Sequence, residues 1–190
     1  LYYCPQIWCS DDTDAIERLI IQRGTAMVYP LSTIGAHVSD CPNHVLGRTT
    51  PFETRGYVAL AGTFGYELDV TRIPKEDREM IPEQVKMYHR YNDLIREGDY
   101  YRIADYGENR LYDAWMVVSK DKREALVTYI QVMQRPNYKS RRIRLKGLDE
   151  NTVYRDEQTG ETYTGSALMY AGINMTGLHG DFKGKLIHLT

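Results

Sequence analysis

What most constrains the fold of this 190-residue chain is a change of pattern near its middle. Strand-length and helix-spaced segments alternate up to about residue 105, and beyond residue 110 only strand-like segments follow. In the first part, Pro5-Gln6-Ile7-Trp8 has strand character and Cys9-Ser10-Asp11-Asp12-Thr13-Asp14 is an acidic loop, after which Ile16, Leu19 and Ile20 recur at helical spacing. Asp14 with Glu17 three residues on has the form of a capping box, and Gly24 stands where that helix would end. Thr25-Ala26-Met27-Val28-Tyr29 and residues 57–64 are continuous apolar runs, as expected of parallel strands covered on both faces. Between them, residues 30–53 read as a long loop rich in Ser, Gly, Asn, His and Pro, of the kind that often borders a site. Pro74 and Pro82 can each open a helix; the second carries Val85, Tyr88, Asn92 and Ile95 near one face and stops at Gly98.

In the second part, Trp115-Met116-Val117-Val118-Ser119 and residues 125–132 flank Lys120-Asp121-Lys122 as a hairpin, and Arg142-Ile143-Arg144-Leu145 alternates with period two. Gln158-Thr159-Gly160 marks a turn between short strands, and residues 185–189 form a closing strand. The expected architecture is therefore α/β plus all-β. Residues 1–105 read as the last βα units of a (β/α)8 barrel, and residues 106–190 as a C-terminal antiparallel β-sandwich. Strand-like sequence starts directly at Leu1, without a cap or turn, so the chain reads as a fragment separated from its upstream strands.

Composition narrows the ligand. The chain is 42% hydrophobic, ample for a core, and its formal net charge of −2 mixes both signs, so neither nucleic acid nor an anionic membrane is an expected partner. Arg141-Arg142-x-Arg144 has no aromatic stripe beside it and reads as a strand face. No apolar run approaches the roughly 20 residues needed to span a bilayer, and no secretory leader is evident. Cys4, Cys9 and Cys41 are odd in number and lack CxxC spacing, which fits reduced thiols in a cytoplasmic protein. The sixteen tyrosines are spread over both halves, which favours packing over sugar stacking.

Loops after strand ends of an α/β array carry its chemistry, so the acidic loop is the candidate site and Asp11 its principal residue. Asp14 is expected to cap the helix that follows, which leaves Asp11 free. Trp8 and Cys9 are candidates for lining the substrate pocket, while Asp12, His37 and His44 receive no role. The aspartate spacing lacks the glycine and distal glutamate of a calcium loop, so no metal is expected, and nothing calls for a cofactor.

The stretch from Pro5 to Leu19, Gly35-Ala36-His37-Val38-Ser39, Thr54-Arg55-Gly56 and Gly62-Thr63-Phe64-Gly65-Tyr66-Glu67-Leu68, in that order, resemble the C-terminal third of family 36 glycoside hydrolases, the microbial α-galactosidases. Arg144-Leu145-Lys146-Gly147-Leu148-Asp149 and Gly180-Asp181-Phe182 resemble the β domain of the same family. The resemblance implies a retaining hydrolase of terminal α-galactosides of the melibiose and raffinose type, without a cofactor, working as a homo-oligomer such as a tetramer on an oligosaccharide substrate. It assigns the general acid/base to Asp11, the first aspartate of the Ser-Asp-Asp-Thr-Asp motif. That role requires a carboxyl that first protonates the departing oxygen and then activates water; burial beside Trp8 and a neighbouring carboxylate would raise its pKa as needed. The family's nucleophilic aspartate and its glycine-rich substrate loop precede the matched segment, so this chain alone is expected to be inactive. A transglycosylase or α-N-acetylgalactosaminidase of the same fold is the alternative, and a non-catalytic carbohydrate-binding or structural module the second.

Overall fold

The computed structural model describes residues 2–137 and 141–190; Leu1, where the first strand is expected to begin, lies outside them. The chain divides into two compact units, Leu1–Arg96 and Glu97–Thr190. Residues 99–104, grouped by sequence with the first part, pair within the sheet of the second unit.

In the first unit, helix α1 (Ala15–Thr25) starts where its sequence says it should. The Asp14 side chain accepts from the Ile16 and Glu17 amides, each at 3.0 Å, and Ile16 and Leu19 turn into the core. It does not stop at Gly24. Thr25, Ala26 and the residues up to Tyr29 form its last turn and a following turn, not the expected strand, and Met27 and Val28 are exposed. Ala26 is the C-cap of α1, its amide donating to the Gln22 carbonyl, so the run closes the helix in a turn instead of starting a ladder. Of the expected strand at residues 5–8, Ile7 alone is bridged, in parallel with Ile34.

Strand β1 (Gly35–Ser39) follows a 3₁₀ turn at Leu31–Thr33, in the middle of what reads as loop. Helix α2 (Phe52–Ala59) then takes the first three residues expected to be the third strand, a turn the next three, and β2 (Thr63–Glu67) begins at that run's end. Periodicity cannot separate a short buried helix from a buried strand, and Tyr57-Val58-Ala59-Leu60 met both descriptions. β1 and β2 pair in parallel, Gly35 opposite Thr63 through Ser39 opposite Glu67. Gly62 permits this approach: a Cβ there would stand 2.6 Å from the Ile34 carbonyl oxygen. Helix α3 (Lys75–Glu97) is continuous through Pro82, where two helices are expected. Pro82 lies on the exposed face, and Tyr91, Leu94 and Ile95 anchor the far end.

Side chains alternate across this small sheet. Val38 packs with Phe52, Ala59 and Ile73, with Phe64 and Tyr66 against them, so the helices cover one face. Gly35, His37 and Ser39 with Thr63, Gly65 and Glu67 make up the other, polar face, which lies beside the acidic loop.

In the second unit, β3 (Asp99–Ala104) precedes a short helix α4 (Tyr106–Asn109), and β4 (Tyr112–Val118) and β5 (Ala125–Gln131) form the expected hairpin. With β10 (Lys183–Leu189) they make an antiparallel sheet in the order β10-β5-β4-β3, whose central strands are buried at nearly every position. Two further pairs, β6 (Arg141–Ile143) with β9 (Ile173–Met175) and β7 (Val153–Arg155) with β8 (Thr162–Thr164), pack Ile143, Ile173, Met175 and Tyr154 against Met116, Val127, Tyr129 and Ile187. The turn expected at 158–160 joins β7 to β8.

Candidate active site

The acidic loop leaves β1's neighbour Ile7 under tight control. The Ile7 amide donates to the Thr33 carbonyl at 2.7 Å and its carbonyl accepts from the Gly35 amide at 2.8 Å, fixing the chain beside β1. The next three residues turn sharply: the Ser10 amide donates to the Trp8 carbonyl at 3.0 Å, with Cys9 between them at φ 72°. A three-residue turn with positive φ at a non-glycine residue is strained by about 1–3 kcal/mol, so something must hold it.

Each carboxylate of the loop has a different task. Asp14, buried, caps α1 and pairs with Arg48, which also lies 3.5 Å from Glu17. Asp12 accepts from the Asp14 amide at 2.9 Å while its own amide donates to Ser10 Oγ at 3.1 Å, closing a local turn. Asp11 is exposed and accepts one hydrogen bond, 3.0 Å from the indole Nε1 of Trp8. Among the described residues none provides the apolar enclosure expected around Asp11; Trp8 offers it an N–H. Cys9 is half-buried and its Sγ turns back to the Ile7 carbonyl at 3.6 Å.

His37 and Glu67 join this corner from the polar face of the sheet. The His37 ring stacks on Trp8, centroids 4.5 Å apart and planes within 17°. Its side chain is only 4% exposed, and burial, then the charge of Arg18, pushes its pKa down to about 4. Nε2 approaches Glu67 Oε2 to 2.7 Å but out of hydrogen-bond alignment, leaving both ring nitrogens unsatisfied. We therefore read the ring as neutral and the contact as a close approach rather than an ion pair. His44, in contrast, is exposed on the 40–50 loop. That loop is tied to the N-cap of α1 by Arg48 and to the acidic loop by Asn43, whose Nδ2 donates to Thr13 Oγ1 at 3.1 Å.

Sequence reasoning missed Arg18, which lies 2% exposed beneath the loop. Its Nη1 donates to the Ser10 carbonyl at 3.0 Å, Nη2 to the Gly35 carbonyl at 2.6 Å and Nε to Gln22 Oε1 at 3.2 Å. Burial pulls its pKa down, opposed by Cys9, Asp12 and Glu67. The signal was present: Arg18 and Gln22, four apart, share the buried side of α1 with Ile16 and Leu19, where polar residues need a partner. Among the described residues no cluster of three His, Cys, Asp or Glu side chains could hold a metal, and no helix is long and apolar enough to cross a membrane.

This assembly of loop, helix and sheet recurs in known proteins. The Melibiase family model matches residues 1–98, and the model of the glycosyl hydrolase family 36 C-terminal domain matches residues 112–189. The bifunctional alpha-galactosidase/sucrose kinase AgaSK of Mediterraneibacter gnavus is 50% identical over 91% of this chain, which covers 18% of that protein. Alpha-galactosidase AgaA of Geobacillus stearothermophilus is 47% identical over the whole chain, which covers 26% of it. Among solved structures, the galactosidase domain of AgaSK superposes with a TM-score of 0.96 at 46% identity, and a doubly substituted AgaA in complex with raffinose with 0.95 at 44%; each match covers all of this chain and 26% of the other. The chain thus spans about a quarter or less of the length of these relatives. It belongs to the Melibiase family, the α-galactosidases of glycoside hydrolase family 36.

Proposed function

We propose that this chain is the C-terminal portion of a retaining α-galactosidase and that Asp11 is its general acid/base, acting on terminal α-galactosides of the raffinose and melibiose type. The observation that carries this reading is the division of labour in the acidic loop: backbone amides take up Asp12 and Asp14, while Asp11 stays exposed with a single donor. Proton transfer needs such a carboxyl, reachable by the glycosidic oxygen and later by water. The nucleophile then belongs to a segment outside these 190 residues. Parallel β1 and β2, covered on one face by helices and polar on the other, fit the last βα units of a (β/α)8 barrel, with the second unit as its antiparallel β domain. Raffinose bound to the AgaA relative supports the substrate class, and three free cysteines suit a cytoplasmic site.

The test is Asp11→Ala in the full-length protein that carries this chain. It should lower turnover of raffinose by roughly 10²- to 10⁴-fold, while glycosylation by an aryl galactoside with a good leaving group suffers much less. An equal, small loss on both substrates would remove Asp11 from the mechanism.

A further inference from the structure

We propose that Arg18 is a positioning residue for proton transfer: by holding the Ser10 carbonyl against β1 it sets where the Asp11 carboxyl stands. The proposal rests on the acid/base reading of Asp11. Three elements meet on this one guanidinium. Nη1 holds the loop at Ser10, Nη2 holds β1 at Gly35, and Nε is held in turn by Gln22, whose own Nε2 donates to the Val58 carbonyl at 3.0 Å and so reaches α2.

Stability does not explain a guanidinium there. Taking a cation out of water costs several kcal/mol, and apolar residues of similar volume often serve a core as well or better. What the charge provides is geometry, because a planar fork of N–H donors fixes two carbonyls in one plane and an ammonium cannot. The bond falls on the residue next to Asp11, at the end of the strained turn around Cys9. Released from Arg18, that turn has a strain to relieve, and Asp11 moves with it. Asp12 and Glu67 lie close enough to balance the cation.

The experiment compares Arg18→Lys with Asp11→Ala in the full-length protein. Arg18→Lys should lower kcat on raffinose roughly 10- to 100-fold with little change in KM, as expected for misplacement of a catalytic group by about 1 Å. The loss in kcat/KM on a good-leaving-group aryl galactoside, which reports glycosylation alone, should stay within about 3-fold, because that step depends less on proton donation, whereas its kcat should fall with the base-assisted second step. Backbone amides of residues 10–12 should exchange hydrogen faster than in the parent while those of α1 keep their protection. Gln22→Met, which leaves the guanidinium in place and removes one of its clamps, should show the same substrate ratio in weaker form and covers the case of a misfolded Arg18→Lys. Equal losses on both substrates, or unchanged exchange at residues 10–12, overturn the proposal. Should Asp11→Ala show no dependence on the leaving group, the acid/base reading itself falls, and the two failures are told apart by that control.

Discussion

Protonation of His37 is the perturbation whose energy follows most directly from the structure. The imidazole is 4% exposed, stacked on Trp8 and close to the Arg18 cation, with its pKa down from 6.5 to about 4. The unfolded chain therefore binds a proton between pH 6.5 and about 4 that the folded chain refuses. Stability falls as pH drops through that window, at up to about 1.4 kcal/mol per unit, and the loss is complete below the folded pKa. The whole contribution is about 3 kcal/mol at pH 4 and absent above pH 7. The assay is denaturant unfolding of the full-length protein between pH 4 and 8, beside His37→Gln, which cannot take the proton. The difference between the two proteins cancels the other titrating groups. The parent should lose about 3 kcal/mol relative to the variant on going from pH 7 to 4. The opposing contribution is Glu67, 2.7 Å away but misaligned. If acid leaves the difference flat, or stabilises the parent, Glu67 has swung to receive an imidazolium and the reading of His37 as a neutral buried ring is wrong.

Other outcomes follow from single contacts. Asp11→Asn, at an exposed position with one hydrogen bond, should change unfolding free energy by no more than about 0.5 kcal/mol, so any activity it loses is chemistry rather than folding. Asp14→Ala removes a cap serving two amides and leaves Arg48 without its buried carboxylate; thermal unfolding should report a loss of about 2 kcal/mol. Tyr154→Phe leaves the Asp149 amide and the Lys122 carbonyl without the hydroxyl that joins them across the second unit, a cost of about 2–3 kcal/mol by denaturant titration. Gly165→Ala places a Cβ 1.9 Å from the Asp149 carbonyl oxygen, and the second unit should lose about 3 kcal/mol or more, read as a lowered unfolding midpoint.

The cap at Asp14, the β4–β5 hairpin and the turn at 158–160 were legible because each rests on neighbours in sequence: a side chain reaching an amide two or three residues on, an alternation along one strand, a turn residue between two runs. The apolar runs at 25–29 and 57–64 misled for the opposite reason. Whether such a run is helix or strand depends on what covers it, and here the first became the end of α1 and the turn after it, while the second was divided between the end of α2, a turn and the start of β2. Pro82 likewise reads as a break, yet on a solvent-facing turn of a 23-residue helix it interrupts little.

The site divides along the same line. The sequence alone singled out Asp11 as the carboxylate that no helix cap would claim, since capping is a local bond. Only the tertiary structure brought in Arg18, His37 and Glu67, because their roles are contacts between segments 8 to 49 residues apart, where a buried cation must find carbonyls and a buried ring must find a face to stack on. Short-range hydrogen bonding is written into residue order; the partners of a buried charge are chosen by the fold that buries it.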